Sequence, residues 1–379
     1  SRRVVSAADA EIRGQFDPAG TFTLVAGNVT LWRPWNRPSG TNELLNSGTL
    51  HLIAPSALAS LAVTDGNLHC NSDTTISNLT VGSRADFRTA TRLLVTGNAS
   101  MRQGLAVIGG GTVEFAGTTV LTNGTQSGGV YVGHGVLRNS GTWRQAIAGS
   151  QGTFISRVNE DRVLGTGVFE NTGTFELVTQ RPLEVHIPFR NTGRVLLGRA
   201  TVVFDANPAF SPPHNGAFLP QSGSELELNN TTLDYSAAGT LDLAAGTLRG
   251  IGTVRAVGTS PRPKIINRGV LRPGNPIGTL TFNATDGFEQ TATGELVIAI
   301  GAAGASNLRC DGTAAALAGT LTVELLDGFS PAIGQTYSVL NTAGRTGEFT
   351  TLKLPSPGAG RKFEVTYTAT RVDLQVVAQ

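Results

Sequence analysis

The chain has 379 residues and a net charge of +2; only 15% of the residues are Asp, Glu, Lys or Arg, and 48 are glycine. The usual charged share is about 25%, and the basic residues form no Lys/Arg-rich block, so the footprint of a nucleic-acid binder is missing. No run of 18 apolar residues occurs, which excludes a membrane-spanning helix, and no stretch of a dozen residues sustains a 3.6-residue apolar period, which leaves an all-β chain as the expectation.

Residues 1–45 are the least regular. VVSAADAEIRGQF reads as a short helix or irregular cap over a first coil whose strand edge needs cover. GTFTLVAGNVTLW follows as strand, turn and strand. LWRPWNRPSG then reads as a loop leaving the sheet, because proline cannot donate to a ladder. It gathers Trp32, Arg33, Trp35 and Arg37. Aromatic faces and guanidinium groups stack well, so these four are a candidate platform for an extracellular glycan or a partner surface. The competing reading has the tryptophans plugging the end of a core.

From Asn46-Ser47-Gly48 onward, short alternating runs recur: LAVTDGNLHC, ISNLTV, RLLVTG, LAVIGGGTVEFAGTTVLTNG, GVYVGHGVL, then Asn139-Ser140-Gly141 beside Trp143. RVNEDRVLG is a charged excursion. Glycoside cleavage needs two carboxylates about 5–10 Å apart, but Glu160 and Asp161 are neighbours that a strand would point to opposite faces; with Arg162 they read as a solvated loop.

The clearest repeat is FENTGTFELVTQRPLEVHIPFRNTGRVLLGRATVVF, Phe169 to Phe204, where Asn171-Thr172-Gly173 returns as Asn191-Thr192-Gly193 at a step of 20 (191 − 171). Apolar residues at every second position between these turns place one strand face in a core. Two or three short strands per repeat of roughly 20 residues describe one coil of a β-solenoid spanning 46–325. Asn and Gly tolerate the left-handed backbone of a sharp corner. If Asn46, Asn139, Asn171, Asn191 and Asn267 share a corner, their amides can bond to the coils above and below.

DANPAFSPPHNGAFLPQSG reads as a projecting loop, 206–222. GT-led strands at Gly239, Gly246 and Gly252 and turns at Asn267-Arg268-Gly269 and Gly274-Asn275-Pro276 resume the repeat. After Leu325 the texture changes to longer alternations, TYSVL, GEFTTLKL, KFEVTYT and RVDLQVV, the pattern of antiparallel hairpins. Residues 326–379 are therefore expected to be a C-terminal antiparallel β cap.

From about Gly165 onward, FENTGTF, IPFRNTGRVLL, GTLRGIGTV, GVLRPGNPIGTLTF and LAGTLTVELLDGFSPAIGQTYSVLNT resemble the repeat-rich secreted and surface proteins of bacteria, including autotransporter-like passenger domains. The resemblance implies a right-handed parallel β-helix at the cell surface and carries over no catalytic residue. The stretch 1–165 fits the pattern loosely and leaves room for a distinct N-terminal module.

Chemistry-bearing motifs are sparse. His51, His69, His134, His186 and His214 lack metal-ligand spacing, and no HExxH, GxSxG, P-loop or paired CxxC occurs, so no cofactor is expected. Cys70 and Cys310 are 240 positions apart (310 − 70), on the order of 50 Å along such a coil stack, and are expected as two separate buried thiols. Low charge, abundant Thr, Gly and Asn, and an opening residue of Ser1 with Met101 as the sole methionine suggest a secreted chain with its leader removed, or a fragment. The expected function is a non-catalytic structural or adhesive component of a surface rod or fibre, meeting glycans, proteins or copies of itself. The rival is a polysaccharide lyase or glycoside hydrolase on a β-helix scaffold; it calls for charged groups clustered on consecutive coils, and no such column is legible here.

Overall fold

The computed structural model describes all residues except 1–3, 7, 17–20, 38, 41, 45–47, 103, 123–128, 147–152, 158, 161–162, 179–182, 198–200, 205–217, 221–224, 236–239, 244, 257–261, 263 and 284. Among the described residues there is no α-helix, only strands of 2–12 residues and one 3-10 turn, Leu326–Gly328. The strands pair in parallel with strands one coil away, so the chain is a parallel β-helix. Its described residues form two compact units, one ending at Arg190 and one beginning at Asn191.

In the first unit each coil contributes to three stacks of strands. Along one, Leu50, Leu68, Phe87, Val107 and Val132 lie in register on successive coils. Along the second run Ile76, Val95, Phe115, Asn139 and Asn171. The third holds Val63, Val81, Met101, Leu121, Gln145 and Leu177. All of these side chains point inward and are buried, which is the period-2 alternation of a strand with one face in the core. Phe115, Trp143, Phe169, Phe175 and Phe189 add an interior aromatic ladder. Most of its neighbouring rings meet edge to face at 5.4–5.7 Å, while Phe169 and Phe189 stack at 4.9 Å. Such pairs contribute about 0.5–1.5 kcal/mol each beyond their burial.

Two sequence expectations are corrected here. The N-terminal stretch is not a helix or cap: Val4–Ser6 and Ala10–Ile12 are strands in register with Phe22–Leu24 and Asn28–Leu31, which continue onto Asn42–Leu44 and Gly48–Leu52. The described coils therefore start well before residue 46. The stretch before residue 165 is also no separate module, because Leu50, Leu68, Phe87 and Val107 follow one another on successive coils at nearly constant sequence spacing, the most even coils of the unit. RVNEDRVLG departs from the coil as expected: Asn159–Glu160 and Val163–Leu164 make a small antiparallel pair in a sheet of their own, while Asp161 and Arg162 lie outside the described residues.

In the second unit Leu226, Leu248, Leu271, Leu296, Leu321 and Leu352 stack in register. All but Leu352 are buried. Thr336–Gly347 pairs in parallel with Asn307–Leu317 on one side and antiparallel with Arg371–Ala378 on the other, and Arg371–Ala378 pairs antiparallel with Arg361–Tyr367. The expected antiparallel C-terminal segment is thus present, joined to the coils through a strand that belongs to both arrangements. Of the expected loop 206–222, Phe218–Pro220 is a strand and the remainder lies outside the described residues.

Candidate functional site

The four residues of the supposed N-terminal platform do not share a face. Trp35 is 1% exposed, and its ring meets Phe16 at 5.3 Å and Phe22 at 5.5 Å in an interior cluster. Arg37 is 9% exposed and its Nε donates to the Ser39 carbonyl. Asn36–Arg37 is itself a strand in register with the strand Ser56–Val63, so only part of LWRPWNRPSG leaves the coil. Trp32 stays 41% exposed and stacks under the Arg13 guanidinium at 5.0 Å. Arg33, with Gln15, Phe16, Pro34 and Asn36, lines an open cleft of about 390 Å³. Trp35 is a core plug, as the competing reading had it.

Of the expected corner asparagines, Asn139 and Asn267 bond through their amides to the next coil, while Asn171 and Asn191 donate to the Gly173 and Gly193 carbonyls of their own coil. Asn139, Asn171, Asn191 and Asn267 are fully buried; Asn46 lies outside the described residues. Asn139 Nδ2 donates to Asn171 Oδ1 at 2.7 Å and to the Thr174 carbonyl at 2.9 Å, both on the next coil. Asn267 Nδ2 does the same to Gln290 Oε1 and the Glu295 carbonyl. The side-chain oxygens of Asn191 and Asn267 accept from the N–H of Gly193 and Gly269 two residues on, a local turn bond that Asn makes readily. The glycines, however, are not there for a left-handed backbone: Gly141, Gly173 and Gly269 have no positive φ. A Cβ on Gly117, Gly141 or Gly173 would run into the carbonyl of Gly97, Gly117 or Gly141 on the preceding coil. Glycine is required by close approach of backbone to backbone.

On the outer face, immediately before that corner, runs a column of charge that the sequence reading missed. Glu114, Arg138 and Glu170 are in register. Arg92 Nη2 donates to Glu114 at 2.9 Å, Arg138 Nη1 lies 3.7 Å from Glu114, Arg138 donates to Glu170 at 2.9 Å and Arg190 to Glu170 at 3.4 Å. Ser140 Oγ adds a hydrogen bond to Glu114 at 2.6 Å. Burial by itself would raise the Glu114 carboxyl, but the bonds from Ser140 and Arg92 and the charges of Arg92 and Arg138 outweigh it and hold the group below the usual range. The signal was available: EFAG, RNSG, ENTG and RNTG place Glu, Arg, Glu and Arg at one position of the motif. Unequal coil lengths hid it.

The second unit has a comparable belt. Arg194 and Arg249 bracket Glu225 and Glu227. Arg272 grips Glu324 through both terminal nitrogens, at 2.6 and 2.8 Å, and these bonds raise its already high pKa. Glu295 is held below its ordinary pKa first by the Thr322 hydroxyl, which outweighs desolvation, and then by Lys353 and Arg272.

His51 and His69 are half-buried on the outer side of adjacent coils, in register, with rings edge to face at 4.7 Å. Burial lowers the pKa of both; for His69, burial with the charges of His51 and Arg88, opposed by Asp86, brings it down to about 4. His134 meets Thr166 and His186 meets Glu184; His214 lies outside the described residues. Among the described residues no three His, Cys, Asp or Glu side chains group as a metal cluster, and no helix is long and apolar enough to cross a membrane. Cys70 and Cys310 are free and buried, and burial pushes each thiol up to about 12. No family model matches this chain, and no curated protein is significantly similar to it.

Proposed function

We propose that this protein is an extracellular structural or adhesive β-solenoid, a non-catalytic component of a surface rod or fibre that presents its outer faces to glycans, proteins or copies of itself. The observation that carries the reading is the ion column Arg92–Glu114–Arg138–Glu170–Arg190, in which each carboxylate lies between two guanidinium groups of neighbouring coils. A general acid for sugar cleavage needs a carboxyl whose pKa is raised; Glu114 is held in the opposite direction. Arg138, engaged on both sides, is likewise poorly disposed to release a proton or receive a uronate. The column ties coil to coil, as expected of a body that resists unwinding. Low charge and high Thr, Gly and Asn content support an extracellular setting.

The rival reading, a β-helix polysaccharide lyase or glycoside hydrolase, gains one observation, since charged residues do align on consecutive coils. Their mutual neutralisation weighs against it. The test incubates the full chain with acidic and neutral polysaccharides and follows new reducing ends and unsaturated products, with binding to the same panel read in parallel. Binding or self-assembly without turnover is the expected result. Turnover abolished by Glu114→Gln or Glu170→Gln would replace the structural reading with the enzymatic one.

A further inference from the structure

We propose that His51 and His69 form a two-imidazole site for a divalent late transition metal ion, copper(II) foremost, on the outer face of the N-terminal unit. The two histidines lie between inward-facing residues, Leu50 and Leu52 on one coil and Leu68 and Cys70 on the next. The pleat therefore sends both imidazoles to the outside, and parallel register sets them side by side. Among the described histidines they are the one pair in ring contact.

The spacing suits a shared ion. A metal about 2.0–2.1 Å from each donor nitrogen, seen at an angle of about 90–110°, puts two ring centres about 4.5–5 Å apart. The observed separation is 4.7 Å, so ligation needs rotation of the rings and no movement of the strands. Those strands are held on both outer sides, Gly48–Leu52 by Asn28–Leu31 and Gly66–Cys70 by Arg84–Thr89. The backbone that carries the donors is thus fixed before the ion arrives, so binding orders only the two side chains.

The surroundings also set the chemistry. Thr30 precedes the pair in register and Arg88 follows it; Asn67 Nδ2 donates to Thr49 Oγ1 alongside. Asp86 offsets part of the Arg88 charge at His69. With two neutral nitrogen donors and water completing the shell, affinity follows the order in which copper(II) exceeds nickel(II) and zinc(II).

The test uses the tag-free full chain. Titration with copper(II) sulfate by calorimetry and electron paramagnetic resonance is expected to show one equivalent bound in the micromolar range, with hyperfine structure from two imidazole nitrogens. His51→Gln and His69→Gln are each expected to weaken binding at least tenfold, and His134→Gln to leave it unchanged. Should either variant fail to fold, zinc-dependent shifts of the His51 and His69 ring signals in the wild-type NMR spectrum answer the same question. Binding no tighter than millimolar, binding undiminished in His69→Gln, or ring signals unmoved by zinc would each overturn the site.

Discussion

The Asn139 amide is fully enclosed, yet both of its donor bonds leave its own coil, to Asn171 Oδ1 and the Thr174 carbonyl. Asn139→Ala removes two hydrogen bonds between coils at once, and a bond of this kind contributes about 0.5–1.5 kcal/mol. The variant is expected to melt several degrees lower while keeping its β-rich circular dichroism spectrum. Glu114 makes the pH dependence concrete. Its folded pKa is depressed, so its contribution to stability is present above the ordinary carboxylate value of about 4.5 and is lost as pH falls through the lower folded value. Melting temperature between roughly pH 5 and pH 3 should fall more steeply for the native chain than for Glu114→Gln; parallel curves would argue that the ion column contributes nothing there. Cys70 and Cys310, with thiols pushed up to about 12, should resist a thiol reagent while folded and titrate as two free sulfhydryls after denaturation without reductant.

Strand by strand, the sequence was most readable where one motif did several jobs. In NTG and NSG the asparagine is an interior ladder, the glycine a close approach and the preceding residue an outer ion pair, so the corner stood out around Phe169–Phe204. The role of the glycine was misjudged because left-handed geometry is visible in a single chain segment, whereas a clash with the previous coil exists only after stacking. The charged column was missed for a related reason: Glu114, Arg138, Glu170 and Arg190 are unequally spaced along the chain, and only register aligns them. Trp35 was offered to a ligand because Pro34 and Pro38 suggested an excursion; a two-residue strand, Asn36–Arg37, brings the chain back at once.

For the chain taken end to end, all-β coils were foreseeable from the period-2 alternation and the glycine content, but their extent was not. Between Gly48 and Asn139 the coils carry no Asn-x-Gly turn word, only apolar positions filled variously by Leu, Val, Phe and Met, so their even spacing was invisible without the fold. The C-terminal segment was easier, since long alternating runs separated by Gly and Pro imply hairpins. Removing residues 326–379 takes away Thr336–Gly347 and leaves Asn307–Leu317 as an open edge, a template for another chain. The truncated protein is expected to elute as higher oligomers in light-scattering chromatography. A monomer with the native melting temperature would show the segment to be an appendage.

The paired Asn-Gly corner carries one more implication, about where this protein can lengthen. Two residues, Ala116–Gly117, Ser140–Gly141 and Thr172–Gly173, join the strands at that corner on three successive coils, whereas the chain between Gln145 and Thr153, or between Arg157 and Val168, is longer. One edge of the coil acts as a ruler, fixed by carbonyls that leave no space for a methyl group; the others accept cargo. A flexible peptide inserted between Gln145 and Thr153 lengthens the connection between two strands, for which each doubling costs only about 0.6 kcal/mol, and should leave the melting temperature nearly unchanged. The same peptide between Ser140 and Gly141 should collapse it, making this protein a display scaffold with margins for foreign sequence and a spine that admits none.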